Sequence, residues 1–322
     1  MFGKGSNLLS SKDLSHDDLI GIFEEAQKLL PVARKQEASD IMKGKVLATL
    51  FYEPSTRTRF SFETAMLRLG GAVISNAQME ETSSVKKGES LYDTGKVVSK
   101  FADVIVMRHP KSGSVAQLAE GSEVPVINAG DGPNDHPTQG LLDVFTIWRE
   151  FGGIEGLTIG MVGDLKYGRV PHAQCELLKH FAGLKFVFVS PRELSMPREI
   201  VDDLRSAGHE VVETEDLDSV LCELQVIAHT RIQRERFESE EEYRKYKGVY
   251  VFGKDQMARC REDMILMHPL PRVDELSPEV DDDPRSKYFE QVTNGVAVRM
   301  ALLKLVASGE SGVAIYILCY HE

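Results

Sequence analysis

Several features that would assign the chain to a particular class of protein are missing from its 322 residues. The four cysteines are widely spaced and include no C-x-x-C pair, which argues against a structural zinc site. The apolar run at residues 313–319 is far shorter than the roughly 20 residues that cross a bilayer. No G-x-x-x-x-G-K-[ST] motif occurs, which argues against a P-loop nucleotide-binding protein.

Basic residues are outnumbered, with 38 Lys and Arg against 50 Asp and Glu and a net charge of −12. A broad nucleic-acid surface needs a basic face, so we expect no nucleic-acid partner. An acidic chain still binds small anions where its arginines converge in a cleft. With no secretory signal or membrane span in view, we expect a cytoplasmic protein with reduced thiols.

From about residue 44 onward, short apolar runs alternate with helical patterns. The predicted strands are residues 45–51, 72–75, 104–107, 124–128, 158–162, 185–190, 210–213, 226–229 and 264–267. These runs are rich in Val, Ile and Leu with little alternation, which is typical of strands buried on both faces. The pattern predicts an α/β fold with two doubly wound parallel-sheet domains and an interdomain cleft.

Helix signals and glycines suggest where the domains divide. One helix is predicted at residues 55–69, with Ser55 as its cap, and another begins at Pro137. The glycines at 152 and 153 mark a boundary between domains of residues 1–150 and 151–294. We expect a final helix at residues 295–307 to pack back on the first domain. The tail, residues 309–322, has no predicted role.

The strongest chemical signal is F-Y-E-P-S-T-R-T-R at residues 51–59, where a strand gives way to a helix. The free N–H groups of the helix start and the hydroxyls of Ser55, Thr56 and Thr58 would form an anion cradle that Arg57 completes. An ordinary capped helix explains one hydroxyl but not three hydroxyls interleaved with two arginines. The segment therefore predicts a phosphate site.

Other polar residues follow predicted strands, where open parallel sheets bind ligands. Arg108 ends a strand, and a Gly-rich loop brings His136 and Gln139 to the start of a helix. Arg169 and Arg231 follow strands of the second domain, and their planar guanidinium groups suit carboxylates. Alone, each of these residues also fits a surface salt bridge or a structural histidine.

The S-T-R-T-R, H-P-T-Q and H-P-L-P segments together resemble the aspartate/ornithine carbamoyltransferase family, in motif order over residues 8–307. The resemblance implies that carbamoyl phosphate is a substrate and that no metal or organic cofactor takes part. It implies catalytic roles for Arg57, Thr58, Arg108 and His136. The implied carbamoyl phosphate site comprises Ser55, Thr56, Arg57, Thr58, Arg108, His136, Gln139, Leu270 and Pro271.

Within this resemblance, His136 approaches the carbonyl oxygen, and a role as general base remains the alternative. Gln139 and the carbonyls of Leu270 and Pro271 hold the carbamoyl amide. The sequence leaves open whether an X-Pro bond in the H-P-L-P segment is cis.

The second substrate implied by the resemblance is L-aspartate, in a step of pyrimidine biosynthesis. The stretch T-R-I-Q at residues 230–233 matches the aspartate-specific members, and Pro269 stands where ornithine-specific members have Cys. Two arginines would repel a cationic side chain such as that of ornithine. The implied aspartate site comprises Lys87, Arg169, Arg231 and Gln233. A carbamoyltransferase for another amino acid, such as ornithine, and a non-catalytic anion-binding scaffold are the alternatives.

The resemblance also implies an assembly. Ser83 and Lys87 match a loop that reaches the active site of a neighbouring subunit, which implies a homotrimer with shared active sites and leaves room for regulatory chains. Glu53 and Arg236 match residues that form salt links on domain closure. Two departures stand out: Val-Pro follows Arg169 where the family has Thr-Val, and Gly140 replaces Ala at about 1 kcal/mol of helix propensity.

Overall fold

The computed structural model describes residues 2–79, 88–234, 237 and 239–308, and within them it contains two parallel sheets. The first sheet comprises β1 Val46–Phe51, β2 Ala72–Asn76, β3 Val104–His109 and β4 Val126–Asp131. The second comprises β5 Thr158–Val162, β6 Lys185–Val189, β7 Glu210–Thr214, β8 Val226–His229 and β9 Ile265–Met267. All nine predicted strands are confirmed, with ends that differ by at most three residues.

Strand order places the ligand-binding ends of both sheets. The orders are β2-β1-β3-β4 and β7-β6-β5-β8-β9, and every neighbouring pair is parallel. The chain reverses its direction of winding between β1 and β3 in one sheet and between β5 and β8 in the other. Crevices open at such switch points, beyond the carboxyl ends of the strands. The predicted class, α/β with two doubly wound sheets, is confirmed.

Helices separate most of the strands, and none within the described ranges is long and apolar enough to span a membrane. They are α1 His16–Ala33, α2 Thr56–Arg68, α3 Leu91–Val98, α4 Ser114–Gly121, α5 Pro137–Phe151, α6 Arg169–Leu178, α7 Arg198–Ser206, α8 Glu240–Arg244, α9 Lys254–Arg259 and α10 Glu290–Ser308. The helix predicted to begin at Pro137 is confirmed as α5.

The prediction that Ser55 caps α2 is wrong. Ser55 occupies the N-cap position, but its side chain makes no capping hydrogen bond. At Ser15 and Ser90, which do cap their helices, ψ is 170° and 155°, whereas ψ is 87° at Ser55. With these backbone angles the Ser55 hydroxyl accepts no hydrogen bond from the first N–H groups of α2, so the Ser55 side chain leaves those N–H groups uncapped.

Burial on both faces is confirmed for the central strands and wrong for two edge strands. Five of the six residues of β1 and four of the six residues of β3 are buried, whereas the edge strands β2 and β7 contain no buried residue. Each of these two strands has a neighbour on one side only. Their Val and Ile content therefore does not report on burial within the single chain.

The largest apolar core runs continuously through both halves of the chain, on one side of each sheet. Smaller clusters cover the opposite faces of the second and first sheets. The long helix α10 packs against α1, α2 and α5, and α5 packs against α6. These helix contacts join the two sheets and set the distance between their carboxyl ends.

Candidate active site

A single cavity of about 430 Å³ lies between the carboxyl ends of the two sheets. The predicted site residues that line it are Ser55, Thr56, Arg57, Thr58, Arg108, His136, Gln139, Arg169, Arg231, Gln233, Leu270 and Pro271. Glu53 contacts two of these residues. Ser83, Lys87 and Arg236 lie outside the described residues, so their predicted positions stay predictions.

The segment between β1 and α2 forms the wall contributed by the first sheet. Thr58 is buried, whereas Arg57 is exposed and its Nη2 donates to the Leu270 carbonyl at 2.9 Å. Partial burial and the nearby Arg108 lower the pKa of Arg57. Arg57 thus connects the first-sheet wall to the loop after β9.

Glu53 bridges arginines from both sheets. Its Oε1 lies 2.5 Å from Nη2 of Arg108 and 3.7 Å from Nη2 of Arg169. Burial lowers the pKa of Arg108, and the Glu53 carboxylate opposes that shift. Gly130 has φ of +128°, and a Cβ there would meet Arg108 Nη1 at 3.2 Å. A glycine at this position leaves room for the guanidinium group.

The amino-terminal segment positions His136 through hydrogen bonds to the preceding residue, Asp135. The preceding Asp135 accepts hydrogen bonds from Ser10 Oγ at 3.0 Å and from the N–H of Ser11 at 2.6 Å. Its other oxygen accepts the His136 N–H at 2.7 Å. Burial, with further contributions from Arg169, Arg108 and Arg299, lowers the pKa of His136 well below its usual value. The imidazole is therefore neutral at pH 7.

In the second sheet, a close backbone approach brings the loops after β5 and β8 together. Gly163 has φ of +121°, and a Cβ there would lie 2.1 Å from the Thr230 carbonyl oxygen. Arg169 begins α6 and donates to the Gly132 carbonyl, while Arg231 follows directly after Thr230. Pro171, the departure from the family pattern, sits in the first turn of α6, where its missing N–H costs no helix hydrogen bond.

The loop after β9 closes the cavity. The Leu270–Pro271 bond is cis, and His268 Nδ1 accepts the Leu270 N–H at 2.9 Å. His268 Nε2 lies 2.9 Å from Glu275 Oε1. Burial raises the pKa of Glu275, but His268 and backbone N–H groups outweigh it and bring the pKa to about 2. An ionised Glu275 therefore anchors the loop through His268.

Gly140 lies where α5 and α6 meet. A Cβ at Gly140 would meet Leu177 Cδ1 at 3.0 Å and the Ala173 Cβ at 3.1 Å. The glycine therefore has a packing role that helix propensity alone does not reveal.

Sequence reasoning missed cavity residues contributed by α10 and the segment before it. They include Tyr288, Gln291, Val292 and Arg299. Arg299 is buried and donates to Ser61 Oγ at 3.1 Å and to Thr138 Oγ1 at 3.3 Å. The signal was available, because a lone arginine interrupts the apolar run V-A-V-R-M-A-L-L.

Comparisons with known proteins give one consistent result. Residues 6–149 match the family model described as aspartate/ornithine carbamoyltransferase, carbamoyl-P binding domain, and residues 155–306 match its Asp/Orn binding domain. The aspartate carbamoyltransferase catalytic subunit of Thermococcus kodakarensis is 51% identical over 302 residues, covering 94% of this chain and 97% of that protein.

Solved structures agree with this result. The catalytic subunit of Methanocaldococcus jannaschii aspartate transcarbamoylase superposes with a TM-score of 0.87 at 48% identity, covering 93% of this chain and 97% of that one. Trypanosoma cruzi aspartate transcarbamoylase in complex with carbamoyl phosphate and aspartate gives a TM-score of 0.88 at 36% identity, covering 95% and 98%.

Proposed function

The chain belongs to the aspartate/ornithine carbamoyltransferase family, and we propose that it transfers the carbamoyl group of carbamoyl phosphate to L-aspartate. The products are N-carbamoyl-L-aspartate and phosphate, in a step of pyrimidine biosynthesis. One observation carries the proposal: phosphate-suited and carboxylate-suited groups from two different sheets face one cavity of about 430 Å³. That cavity is large enough for both small substrates at once.

The phosphate binds at the start of α2. There the free N–H groups, the hydroxyls of Ser55, Thr56 and Thr58, and the Arg57 guanidinium surround an anion. Because Ser55 does not cap the helix, a phosphate oxygen can accept those N–H groups instead. Arg108 bridges the phosphate and the carbamoyl carbonyl oxygen.

The chemical step is a direct attack by the aspartate amine on the carbamoyl carbon. A C–N bond forms, a tetrahedral intermediate carries the negative charge on oxygen, and the C–O bond to phosphate then breaks. The amine proton passes to the departing phosphate. Arg108, Thr58 and His136 stabilise the oxyanion, and removing one such donor typically costs about 10²–10³ in rate.

His136 serves as a hydrogen-bond donor in this reaction. Its pKa lies well below its usual value, so the neutral ring donates from one nitrogen but is a weak base. The low pKa of His136 therefore favours the donor role over the alternative of a general base. Gln139 and the Leu270 and Pro271 carbonyls receive the carbamoyl NH₂ group.

Aspartate binds on the side of the second sheet. Arg169 and Arg231 clamp its two carboxylates, with Gln233 beside them and Lys87 contributed from outside the described residues. In this division, residues 1–150 bind carbamoyl phosphate and residues 151–294 bind aspartate. Arginine charges at this wall disfavour ornithine, which carries a cation on its side chain.

We propose a homotrimer in which Ser83 and Lys87 reach the neighbouring cavity. Among the described residues between 60 and 101, six large apolar side chains are exposed in the single chain: Phe60, Leu67, Ile74, Tyr92, Val97 and Phe101. Ile74 belongs to the edge strand β2. Such apolar exposure marks protein interfaces. The relatives are named catalytic subunits, which leaves room for regulatory chains here too.

The activity is tested with labelled carbamoyl phosphate and either aspartate or ornithine. We expect labelled carbamoyl aspartate and no citrulline. Turnover with ornithine alone would identify a different carbamoyltransferase, and binding without turnover of either would identify the anion-binding scaffold.

Shared sites are tested by mixing two inactive proteins. Lys87→Ala and His136→Ala remove residues that the proposal assigns to different subunits of one site. Hybrids reassembled from both proteins should therefore regain part of the activity, because some sites then receive neither substitution. An absence of recovery in verified hybrids would contradict the trimer.

A further inference from the structure

The fully buried carboxylate of Asp143 lies on α5, one turn beyond Gln139. Three side-chain amides donate hydrogen bonds to it. Gln139 Nε2 and Gln291 Nε2 lie 2.9 and 2.6 Å from Oδ1, and Gln174 Nε2 lies 2.7 Å from Oδ2. The three amides come from α5, α10 and α6, so Asp143 is the point where these helices meet through polar contacts.

An ionised carboxylate only accepts hydrogen bonds, so Asp143 decides which end of each amide faces it. The Gln139 side chain turns its NH₂ group to Asp143. Its other end, the carbonyl oxygen, is then the group left for the cavity that Gln139 lines. Without a fixed acceptor behind it, the same amide could present either a donor or an acceptor.

Gln291 extends the constraint to the loop after β9. While its Nε2 donates to Asp143, its Oε1 accepts the backbone N–H of His268 at 2.9 Å. His268 is the first residue of the loop after β9, in which Leu270 and Pro271 line the cavity. The Asp143 carboxylate therefore orients the side-chain carbonyl of Gln139 directly. Through Gln291 it also holds the loop that carries the backbone carbonyls.

The charge on Asp143 has identifiable support. Burial raises its pKa to about 7, and the three amides and Arg299 oppose the increase. Burial in turn lowers the pKa of Arg299 to about 10. At pH 8 both groups are ionised, and the Arg299 nitrogens donate to Ser61 and Thr138.

We propose that Asp143 is a positioning residue that makes Gln139 and the loop after β9 present hydrogen-bond acceptors to the NH₂ group at the carbamoyl end of the cavity. Such an end selects the NH₂ group of carbamoyl phosphate over the methyl group of acetyl phosphate, which has nearly the same shape. A site with buried acceptors rejects an analogue that lacks the matching donor. The inference rests on the proposed function, because it takes Gln139 and the Leu270 loop as the groups that meet the carbamoyl amide.

The test compares equilibrium binding of carbamoyl phosphate, acetyl phosphate and inorganic phosphate at pH 8. Asp143→Asn keeps the shape but lets the Gln139 amide turn either way. We expect the preference for carbamoyl over acetyl phosphate to fall about tenfold, with inorganic phosphate bound as in the wild type. An unchanged preference in folded Asp143→Asn would overturn the proposal.

Thr146→Val is the matched control. Thr146 Oγ1 donates to the Leu142 carbonyl and accepts a hydrogen bond from Asn294 Nδ2 at 3.0 Å. This buried contact joins α5 and α10, as the contact between Asp143 and Gln291 does, but neither Thr146 nor Asn294 lines the cavity. This variant should be less stable and keep the full preference. An equal loss of preference in Thr146→Val would mean that general loosening of the helices is responsible, and it would also overturn the proposal.

If Asp143→Asn does not fold, Gln291→Met decides. Met has a similar length but neither receives the His268 N–H nor donates to Asp143, so the preference should fall about threefold or more. An unchanged preference there would refute the proposal. Because the binding test needs no turnover, failure of the proposed function can be distinguished from failure of the role proposed for Asp143. A wild-type protein that prefers carbamoyl phosphate over acetyl phosphate but cannot carbamoylate aspartate refutes the proposed function alone. Normal turnover with an unaltered preference in the variants refutes only the role of Asp143.

Discussion

The half of the cavity proposed for phosphate and the half proposed for aspartate each begin at two adjacent central strands, β1 with β3 and β5 with β8. In the phosphate half, His136 is buried and braced by Asp135, and Gln139 is braced by Asp143. In the aspartate half, Arg169 contacts Glu53 and the Gly132 carbonyl, which both belong to the first half of the chain.

This difference shows that the two halves are not held independently. The cradle residues and His136 with its support Asp135 belong to the first domain, although Arg57 also donates to Leu270, whereas the first arginine of the aspartate half is oriented by Glu53 and Gly132 across the cleft. A change in the first domain should therefore affect aspartate binding, while a change in the second domain should leave phosphate binding largely intact. Substitutions at Arg57, Glu53 and Gly140 test this asymmetry between the two halves.

Arg57→Ala should reduce kcat/KM by roughly 10³ or more, because it removes the guanidinium that compensates the phosphate charge both on binding and as the phosphate departs. Circular dichroism and thermal unfolding should remain near those of the wild type, since Arg57 is exposed. Arg59→Ala is the control, because Arg59 lies on the same helix, pairs with Glu63 at 3.8 Å and does not line the cavity. Near-normal turnover in Arg57→Ala would remove the phosphate cradle from the mechanism.

Glu53→Gln should affect ligand binding in the two halves of the cavity differently. Glu53 holds Arg169 across the cleft, so its loss should raise the KM for aspartate about tenfold, equivalent to roughly 1.4 kcal/mol. It also competes with phosphate for Arg108, so inorganic phosphate should bind no more weakly than in the wild type. Steady-state kinetics and calorimetry measure the two effects. Equal weakening of both ligands would contradict the asymmetry.

Asp143 should make the free energy of unfolding of the whole chain depend on pH. The pKa of Asp143 in the folded chain, about 7, lies above the usual aspartate pKa of 3.8, so its contribution to the free energy of unfolding is present below pH 3.8 and is lost as pH rises through 7. Asp143→Asn should therefore gain stability relative to the wild type between pH 5.5 and 8, by on the order of 1–2 kcal/mol. Urea unfolding at both pH values measures the difference. A constant difference would show that Asp143 does not titrate in this range.

Gly140→Ala should have the smallest effect. Helix propensity favours Ala by about 1 kcal/mol, but the new Cβ would push α6 away from α5 at Leu177 and Ala173. Since α6 begins with Arg169, we expect aspartate KM to rise about twofold to threefold, on the order of 0.5 kcal/mol, while phosphate affinity holds. A larger change in phosphate affinity than in aspartate KM would reverse the asymmetry.

Particular residues show how much of the fold could be predicted from the amino-acid sequence. The nine strands followed from runs of Val, Ile and Leu, and α5 followed from Pro137, because local composition governs local structure. The cap at Ser55 was predicted wrongly, since that hydrogen bond depends on the backbone angles at Ser55, where ψ is 87°. The exposed face of β2 was also missed, because sheet order is not encoded within the strand itself.

The site divides in the same way. Residue types and their places after strands determined that Arg57, Arg108, His136, Arg169 and Arg231 would share one crevice, because parallel sheets gather such positions at one edge. Only the tertiary structure decided that Glu53 joins arginines of both sheets, and that Asp143 receives amides from three helices. Those contacts join residues as much as 148 positions apart, and such pairings depend on helix packing and burial.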